Sequence, residues 1–388
     1  MIEFITTTAL EYCDDVRDGT HDSPKHLDNG YILITSKNIK DSEIDYNNAS
    51  YISEQDYNKI NERSLVEVND ILYSMIGTVG LVHRVSQKPN YAIKNMGLFK
   101  ISDEIRSKWL YYYLQSNEAK NEVNSRLSGS TQKFISLSNL RNMNVKYPKD
   151  KNDMKKTIKV LDSINNKIMI NNQINNNLYE MCNALYHQLL DENEESIEYK
   201  TIGEIAKKVV TGKTPSTKNK EYWDGDIPFI TIPDMHNQVF TINTERCITN
   251  EGAKSLIPKN SISVSCIATV GLVSINNKAS QTNQQINSVV IENDYDLYYL
   301  FEFLSEQEQY MKSIAGGSTT YNINKNTFEN IQVPYLSEEL LIEYDKKVRP
   351  MFEKIKSNQI SNNTLSQLRD TLLPKLMNGE IDLDNIEI

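Results

Sequence analysis

Long segments of this 388-residue sequence recur in the same order in its two halves. SGSTQKFISLSNLRNMNVKYP (128–148) aligns with GGSTTYNINKNTFENIQVPYL (316–336), and ILYSMIGTVGLV (71–82) aligns with ISVSCIATVGLV (262–273). Further upstream, DGTHDSPK…YILITSKNI (18–39) aligns with TGKTPSTK…IPFITIPDM (211–235). Repetition on this scale indicates a duplicated structural unit. It therefore restricts the fold to two similar halves.

Each half ends in a segment with helical periodicity. Residues recur in alternating steps of four and three, which is typical of a coiled-coil seam. We therefore predict two helices that pair as an antiparallel coiled coil. The alternative is that each helix covers only its own half. The predicted helix-pairing seam consists of Ile164, Ile168, Leu178, Leu185, Leu189, Met351, Ile355, Leu365, Leu372 and Leu376.

Asparagines interrupt both seams near their middle, at 171 and 175 and at 358 and 362. With Ile164 opposite Leu376, the antiparallel register places Asn171 opposite Arg369. Buried polar residues in a seam can fix its register; alternatively, these asparagines face solvent or a partner subunit. Pro350 is expected to interrupt or kink the second helix, as is the proline at 374, which leaves 351–371 as its unbroken core.

Within each half, short β-branched runs at 31–35, 71–76 and 80–85 predict strands, with turns at Gly30 and Gly77. The segments 103–127 and 296–314 predict amphipathic helices. The expected fold class is α+β, with two globular mixed α/β domains that are each followed by a long helix. The predicted boundaries are 1–150 for the first domain, 151–192 for the first helix, 193–336 for the second domain, and 337–388 for the second helix and tail.

Composition excludes several classes of protein. No apolar run is long enough to span a membrane, and the first residues carry acid where a secretory signal carries base. Cys13, Cys182, Cys247 and Cys266 have no paired spacing, which favours reduced thiols and a cytoplasmic location. The formal net charge is −10, so we expect any binding to DNA to need help from partner proteins.

No catalytic motif is complete. GKT at 212–214 is like the end of a phosphate-binding P-loop, but the glycine required at 207 is Lys207. VPY at 333–335 lacks the acidic or amide residue and the second proline of an adenine-methyltransferase motif. His21 and His26 lack the other ligands of a metal site. The sequence therefore predicts no catalytic residue, no cofactor and no metal in this chain.

Taken together, the motifs resemble the specificity (S) subunits of type I restriction-modification systems. TGKTPSTKNKEYWDGDIPFITIPDM (211–235) is similar to the opening segment of a target recognition domain, and 128–148 and 316–336 are similar to its closing segment. RDGTHDSPK and ITSKNIK (17–25, 34–40) resemble a common variety of first recognition domain. LRDTLLPKLMNGEIDL (368–383) resembles the end of the conserved helical region. The resemblance covers essentially the whole chain.

The resemblance implies a non-catalytic, sequence-specific subunit that binds double-stranded DNA and reads a bipartite target. The implied partners are two modification subunits, which methylate adenine, and restriction/translocase subunits. Two alternatives stay open: a truncated methyltransferase-nuclease fusion, and a coiled-coil scaffold with no DNA role. The seam from Ile164 to Leu189 is about 37 Å long at about 1.5 Å per residue, close to one turn of B-DNA. This length predicts that the helices set the gap between half-sites.

Polar residues beside glycines, in two pairs of equivalent loops, are the candidate DNA contacts. In the first half they are Thr20, His21, Ser23, Lys25, Lys37, Asn38, Ser130, Thr131, Gln132 and Lys133. In the second half they are Thr214, Ser216, Lys218, Lys220, Ser318, Thr319, Thr320 and Tyr321. The alternative is that these residues only cap helices or form turns. Ala268 replaces Gly77 in the second half, so the two loops are expected to differ if Gly77 has a positive φ.

Overall fold

The repeated segments form two units of like topology. The computed structural model describes residues 2–40, 43–129, 132–236, 238–316 and 321–381. Unit 1 is Met1–Asn165 with Gln367–Ile388, and unit 2 is Asn166–Ser366. Unit 1 is therefore built from both ends of the chain.

Unit 1 combines an antiparallel four-stranded sheet with smaller sheets and short helices. Its strands are β1 (Phe4–Thr8), β2 (Asp15–Asp18), β3 (Tyr31–Ile34), β4 (Ile39–Lys40), β5 (Glu43–Ile44), β6 (Ser50–Ile52), β7 (Ile71–Ser74), β8 (Val82–Arg84), β9 (Tyr91–Ile93), β10 (Met96–Lys100) and β11 (Asn144–Pro148). Its helices are α1 (Ala9–Tyr12), α2 (Glu54–Ser64), α3 (Glu104–Gln115), α4 (Asn117–Ser125), α5 (Leu137–Arg141) and α6 (Lys151–Glu192), which continues into unit 2. The main sheet has the order β2-β10-β7-β8, β3 lies between β6 and β9, and β1 pairs with β11.

Unit 2 repeats this plan with longer strands. Its strands are β12 (Glu198–Thr201), β13 (Ala206–Thr211), β14 (Trp223–Ile230), β15 (Phe240–Thr241), β16 (Arg246–Ile248), β17 (Leu256–Ile257), β18 (Ile262–Ser265), β19 (Val273–Asn276), β20 (Ser280–Thr282), β21 (Ile286–Ile291) and β22 (Gln332–Tyr335). Its helices are α7 (Ile202–Ile205), α8 (Asp296–Ser305), α9 (Glu308–Ile314), α10 (Lys325–Glu329) and α11 (Glu338–Met377), which continues into unit 1. The main sheet, β13-β21-β18-β19-β15, corresponds to that of unit 1 with one added strand. The α+β fold is therefore confirmed.

Local capping explains where the short helices begin and end. The first helix of each unit begins with the same capping box, in which Thr8 exchanges hydrogen bonds with Glu11 and Thr201 does so with Glu204. The single helix that we predicted over 103–127 is instead two helices. Ser116 divides them, because its backbone is extended and its hydroxyl accepts a hydrogen bond from the Ala119 N–H. Similarly, α8 ends and α9 begins within the predicted segment 296–314.

Each unit buries its own apolar core, to which both long helices contribute. In unit 1, Trp109 lies in one cluster with Leu161 of α6 and Leu376 of α11. In unit 2, Tyr186 of α6 and Phe352 of α11 share a cluster with the strands of the main sheet. Complete burial of such a side chain stabilises a protein by about 1.5–3 kcal/mol. The long helices are therefore part of each core.

The helices α6 and α11 pair in antiparallel fashion, as predicted, but in a different register. In unit 2, Asn171 Nδ2 donates to Asn362 Oδ1 (2.7 Å), and Asn358 Nδ2 donates to Asn175 Oδ1 (2.8 Å). Asn171 therefore lies opposite Asn362 and not opposite Arg369. The predicted register is wrong by one heptad, because a pattern that repeats every seven residues fits equally well after a shift of seven. The asparagine pairs distinguish the two registers, because a shift by seven residues would leave each of these side-chain amides without its hydrogen-bond partner.

None of the ten predicted seam residues is exposed. Ile164, Ile355 and Leu376 are buried, and the other seven are half-buried. In unit 1, Arg369 donates to the amide oxygen of Asn165 (3.2 Å), which adds a further polar pair to the two asparagine pairs of unit 2. The seam thus has apolar ends and a polar middle.

The expected interruption of the second helix is wrong. Helix α11 runs for 40 residues, Glu338–Met377, through Pro350 and the proline at 374. Proline removes one backbone hydrogen bond, yet Tyr344, Val348 and Phe352 are all buried on either side of Pro350. Tertiary packing supplies most of the stability of helices in proteins, and here it holds the helix through the proline.

Candidate nucleic-acid interface

The loops that carry most of the predicted contacts leave one edge of the main sheet in each unit. In unit 1, Asp18 at the end of β2 pairs with Gly97, and Ser74 at the end of β7 pairs with Met96. The ends of β2 and β7 and the start of β10 therefore meet. In unit 2, the ends of β13 and β18 meet the start of β21 in the same way. We call this the polar edge of each unit, formed by loops 19–25, 75–81 and 94–95 in unit 1 and by loops 212–220, 266–272 and 283–285 in unit 2.

Glycine is required where the first of these loops begins. Gly19 N–H donates to Met96 O (2.8 Å), and Gly212 N–H donates to Ile286 O (3.0 Å). A Cβ on Gly19 would lie 2.4 Å from the nearest carbonyl oxygen, and a Cβ on Gly212 would lie 2.1 Å from one. Both glycines thus permit close packing of two backbone segments. Because its N–H is already bonded, Gly212 is a structural residue and not part of a phosphate cradle.

The β7–β8 and β18–β19 turns have the same conformation, contrary to our expectation. Gly77 has φ 78° and Ala268 has φ 65°, so both lie in the left-handed region. Gly77 N–H donates to Lys133 O, and Ala268 N–H donates to Tyr321 O, each at 3.1 Å. This bond, with a flanking antiparallel bridge, holds alanine in a conformation that it rarely adopts.

These backbone bonds bring the closing loop of each unit to the polar edge. Gln132 and Lys133 are exposed in unit 1, and a Cβ on Gly77 would lie 3.7 Å from Gln132 Nε2. Tyr321, 47% exposed, has the equivalent place in unit 2. The remaining predicted residues of these loops lie outside the described residues: Ser130, Thr131, Ser318, Thr319 and Thr320.

His21 is held by both ring nitrogens. Nδ1 lies 2.8 Å from Asn95 Oδ1, and Nε2 lies 2.9 Å from the carboxylate of Asp18, which also pairs with Arg63. The hydrogen bond with Asn95, followed by that with Asp18, raises the pKa of His21. With both nitrogens engaged, His21 orients its loop and offers neither nitrogen to a base.

The other predicted residues of unit 1 divide into exposed and structural side chains. Ser23 accepts a hydrogen bond from Lys94 Nζ (2.7 Å), and Thr20 accepts one from the N–H of residue 22. Lys25 and Lys37 are exposed and have no carboxylate partner among the residues described.

Asn38 is buried, contrary to its prediction as a DNA contact. Its side chain is 3% exposed, and its amide oxygen accepts from the N–H and hydroxyl of Thr35 at 2.9 Å each. Its amide nitrogen donates to Asn48 O (3.0 Å) and more weakly to Asp45 O (3.4 Å). Asn38 therefore shapes a turn, and we leave it out of the candidate interface.

In unit 2 the other predicted residues lie in one exposed loop, 212–220. The Thr214 hydroxyl donates to Gln284 Oε1, and Ser216 O accepts from Trp223 Nε1 (3.2 Å). Lys218 and Lys220 are exposed and form no ion pair within the described part of unit 2. The loop is thus anchored at its base and offers cations at its tip.

Sequence reasoning missed two residues of this surface. Lys94 and Gln284 contact the first loop of their unit. The available signal was the polar stretch KN between the apolar runs YAI and MGLFK, and TNQQ before INSVVI. Short polar stretches between strands are common, so this signal alone is weak.

No group of three or more histidine, cysteine, aspartate or glutamate side chains that could hold a metal ion occurs in the parts of the chain that the structure describes. Nor does any helix in those ranges have the length and apolar character needed to cross a bilayer.

Comparison with known proteins gives a consistent family. The model of the type I restriction modification DNA specificity domain matches residues 25–180 and 194–367. The type I restriction enzyme HindI specificity subunit of Haemophilus influenzae is 46% identical over 191 residues, which are 47% of this chain and 41% of the relative. The MjaIX specificity subunit of Methanocaldococcus jannaschii is 36% identical over 179 residues, 40% of each chain. The aligned parts thus span less than half of these relatives.

A solved structure agrees in fold. The S subunit of a type I restriction-modification system from M. genitalium matches 97% of this chain and 96% of its own length, with a TM-score of 0.58 at 16% identity. At that identity the likeness concerns the fold alone. The two matches of the family model together cover most of the sequence, and they carry the assignment. This chain belongs to the family of type I restriction-modification DNA specificity domains.

Proposed function

We propose that this chain is the sequence-reading subunit of a type I restriction-modification assembly, in which the polar edge of each unit reads one half of a bipartite DNA target. One observation carries this proposal: the two polar edges share the same backbone hydrogen bonds but present different exposed side chains. The same backbone bonds frame both edges, at Gly19 and Gly212 and at Gly77 and Ala268. A framework that stays constant while its exposed side chains differ is what two readers of different half-sites require.

The exposed chemistry of the two edges supports different half-sites. Lys133 in unit 1 corresponds to Tyr321 in unit 2, and the loop before the central strand carries Lys94 in unit 1 and the additional residue Gln284 in unit 2. Lysine and glutamine prefer different base edges in the major groove. The two halves of the target should therefore differ.

Unpaired cations support contact with the DNA backbone. Lys25, Lys37 and Lys133 in unit 1, and Lys218 and Lys220 in unit 2, are exposed and lack carboxylate partners among the described residues. Such cations suit phosphates, which position a protein on DNA without reading its sequence. Because the whole chain carries a net charge of −10, this attraction is weak without partner subunits.

We propose that the partners are two adenine-modification subunits and restriction/translocase subunits in the cytoplasm, and that this chain catalyses no reaction itself. Exposed apolar side chains on the long helices support the docking of partner proteins. Met169, Ile170 and Met181 on α6, with Ile360 and Leu368 on α11, are each more than 40% exposed. Exposed apolar side chains grouped on helices are typical of surfaces that bind other proteins.

The experiment is a genome-wide map of methylated adenines in cells that contain the modification subunits, with and without this chain. We expect a bipartite methylated motif that disappears when the chain is deleted. An unchanged motif would contradict the reading role. Methyl transfer by the isolated chain, supplied with S-adenosylmethionine and target DNA, would contradict the non-catalytic role.

A second experiment separates backbone contacts from base contacts in unit 1. In the assembled complex, Lys133→Ala should weaken binding to all sequences and lower the salt dependence, whereas Gln132→Ala should relax one position of the target. Lys88→Ala is the matched control. Lys88 is equally exposed but lies in the β8–β9 loop, at the opposite end of β8 from the polar edge. Equal effects of Lys133→Ala and Lys88→Ala would argue against a phosphate contact at the edge.

A further inference from the structure

A short loop precedes the central strand of each main sheet and reaches the polar edge. We call it the pre-strand loop: residues 94–95 before β10 in unit 1, and residues 283–285 before β21 in unit 2. Both begin with the same bond, Lys94 N–H to Ile34 O (2.9 Å) and Asn283 N–H to Ile230 O (3.0 Å). The loop of unit 2 is longer by one residue, and the middle residue of its three is Gln284.

The residues on both sides of Gln284 are fixed. Asn283 Oδ1 accepts from Gln285 N–H (3.0 Å), and Asn283 Nδ2 donates to Gln285 Oε1 (3.1 Å). Gln285 O accepts from Cys266 N–H (2.8 Å), which joins the loop to the end of β18. Gln284 itself is exposed. The backbone that carries this side chain is therefore held in place before any ligand arrives.

The amide group of Gln284 is also oriented. The Thr214 hydroxyl donates to Gln284 Oε1, while Nε2 has no partner within the described residues. Thr214 is held in turn, because Gln281 Nε2 donates to the neighbouring Lys213 O (2.7 Å) and Gly212 N–H donates to Ile286 O. The amide thus offers two free N–H donors and an oxygen with remaining acceptor capacity.

This arrangement matches one base. The major-groove edge of adenine presents an acceptor at N7 and a donor at N6, and a carboxamide meets both with two hydrogen bonds. We propose that Gln284 reads an adenine in the half-site of unit 2 and that Thr214 is its positioning residue. The inference rests on the proposed function and adds the base and the side chain. In unit 1 the pre-strand loop is shorter by one residue, and the residue equivalent to Asn283 is Lys94, whose Nζ donates to Ser23 (2.7 Å), so the two edges differ at this position.

The test uses the full complex with its modification subunits and maps the methylated motif. Gln284→Ala should relax one A·T position of the unit 2 half-site, with a loss of discrimination of roughly 5- to 150-fold. Thr214→Val, which keeps the shape but removes the hydroxyl, should relax the same position to a smaller extent. Thr327→Val is the matched control, since Thr327 lies in α10, outside the loops of the polar edge, and its hydroxyl makes no hydrogen bond among the described residues. It should leave the motif unchanged.

Gln284→Glu provides a test that does not depend on truncation. The carboxylate can only accept, so preference at this position should move from adenine towards cytosine, which offers a donor. The unit 1 half of the motif should stay intact in every variant and reports that the complex is folded. The inference is overturned if Gln284→Ala and Gln284→Glu keep the wild-type motif or loosen several positions equally. Failure of the proposed function would differ, because the wild-type complex itself would then show no sequence preference.

Discussion

Replacement of Ala268 by glycine should stabilise unit 2. Ala268 has φ 65° in the turn after β18, and its methyl group is exposed, so the substitution removes little buried surface. A left-handed conformation costs a residue with a Cβ about 1–2 kcal/mol relative to glycine. Glycine loses about 0.4–1 kcal/mol through the greater freedom of the unfolded chain. The expected net gain in the free energy of unfolding is about 0.5–1 kcal/mol.

The chain provides one reporter for each unit. It contains two tryptophans, Trp109 in unit 1 and Trp223 in unit 2. Labelling with 5-fluorotryptophan therefore gives two fluorine resonances, and each follows the unfolding of its own unit in urea. With m about 2 kcal/mol/M, the midpoint of the Trp223 resonance should rise by about 0.3–0.5 M in Ala268→Gly, and that of Trp109 should not change.

Ala279→Gly is the matched control. Ala279 is exposed in the same unit and is not among the residues with positive φ, so glycine there should lower stability by about 0.4–1 kcal/mol. The reciprocal variant, Gly77→Ala, should destabilise unit 1, because a residue with a Cβ rarely adopts the positive φ of this position. The new Cβ would make only an ordinary contact at 3.7 Å, so the penalty is conformational and not steric. The reasoning is refuted if Ala268→Gly lowers the Trp223 midpoint as Ala279→Gly does.

Three further outcomes follow from buried and paired polar groups. Burial raises the pKa of Glu302 from 4.5 to about 8, so its contribution to the stability of unit 2 should be complete below about pH 4.5 and fall by up to about 1.4 kcal/mol per pH unit until about pH 8. In urea unfolding at several pH values, Glu302→Gln should lack this slope. The pKa of His21 is raised, so the contribution of His21 to stability should be complete below about pH 6.5 and be lost as the pH rises through the folded-state pKa. Because the hydrogen bond with Asn95 is the main cause, Asn95→Ala should lower the pKa of His21 in an NMR titration. Asn358→Leu should lower the free energy of unfolding by about 1–3 kcal/mol, because it leaves Asn175 unpaired. The double variant Asn175→Leu/Asn358→Leu should regain most of this loss in urea unfolding. Equal losses in the single and the double variant would contradict the pairing.

The repeated segments predicted the duplication because they contain the residues whose backbones bond to one another. SGSTQKFI and ILYSMIG are far apart in sequence, yet the bonds from Gly77 to Lys133 and from Ile135 to Met75 join them. Their counterparts in the second half are joined by equivalent bonds. A duplicated pair of distant motifs therefore indicates a duplicated contact.

The register of the long helices was not predictable from periodicity. Every shift by seven residues preserves the apolar pattern, and the choice rests on particular side-chain pairs such as Asn171 with Asn362. The continuity of α11 through Pro350 likewise depends on packing that local rules do not include.

The candidate site was predicted in part. The loops around His21, Lys133 and Thr214 were identified through their glycines, which the backbone requires. The pre-strand loops were missed because their partners are distant in sequence: Thr214 and Gln284 are 70 residues apart. Nothing in the local pattern around Gln284 distinguishes a contact residue from an ordinary connection between strands.

The polar edges are held together largely by main-chain hydrogen bonds, such as those of Gly19 with Met96 and of Gly212 with Ile286. Main-chain donors and acceptors are the same for almost every amino acid, so most substitutions in the intervening loops leave them intact. New combinations of exposed residues can therefore arise with little penalty to folding. Such a scaffold is tolerant of mutation in its exposed loops.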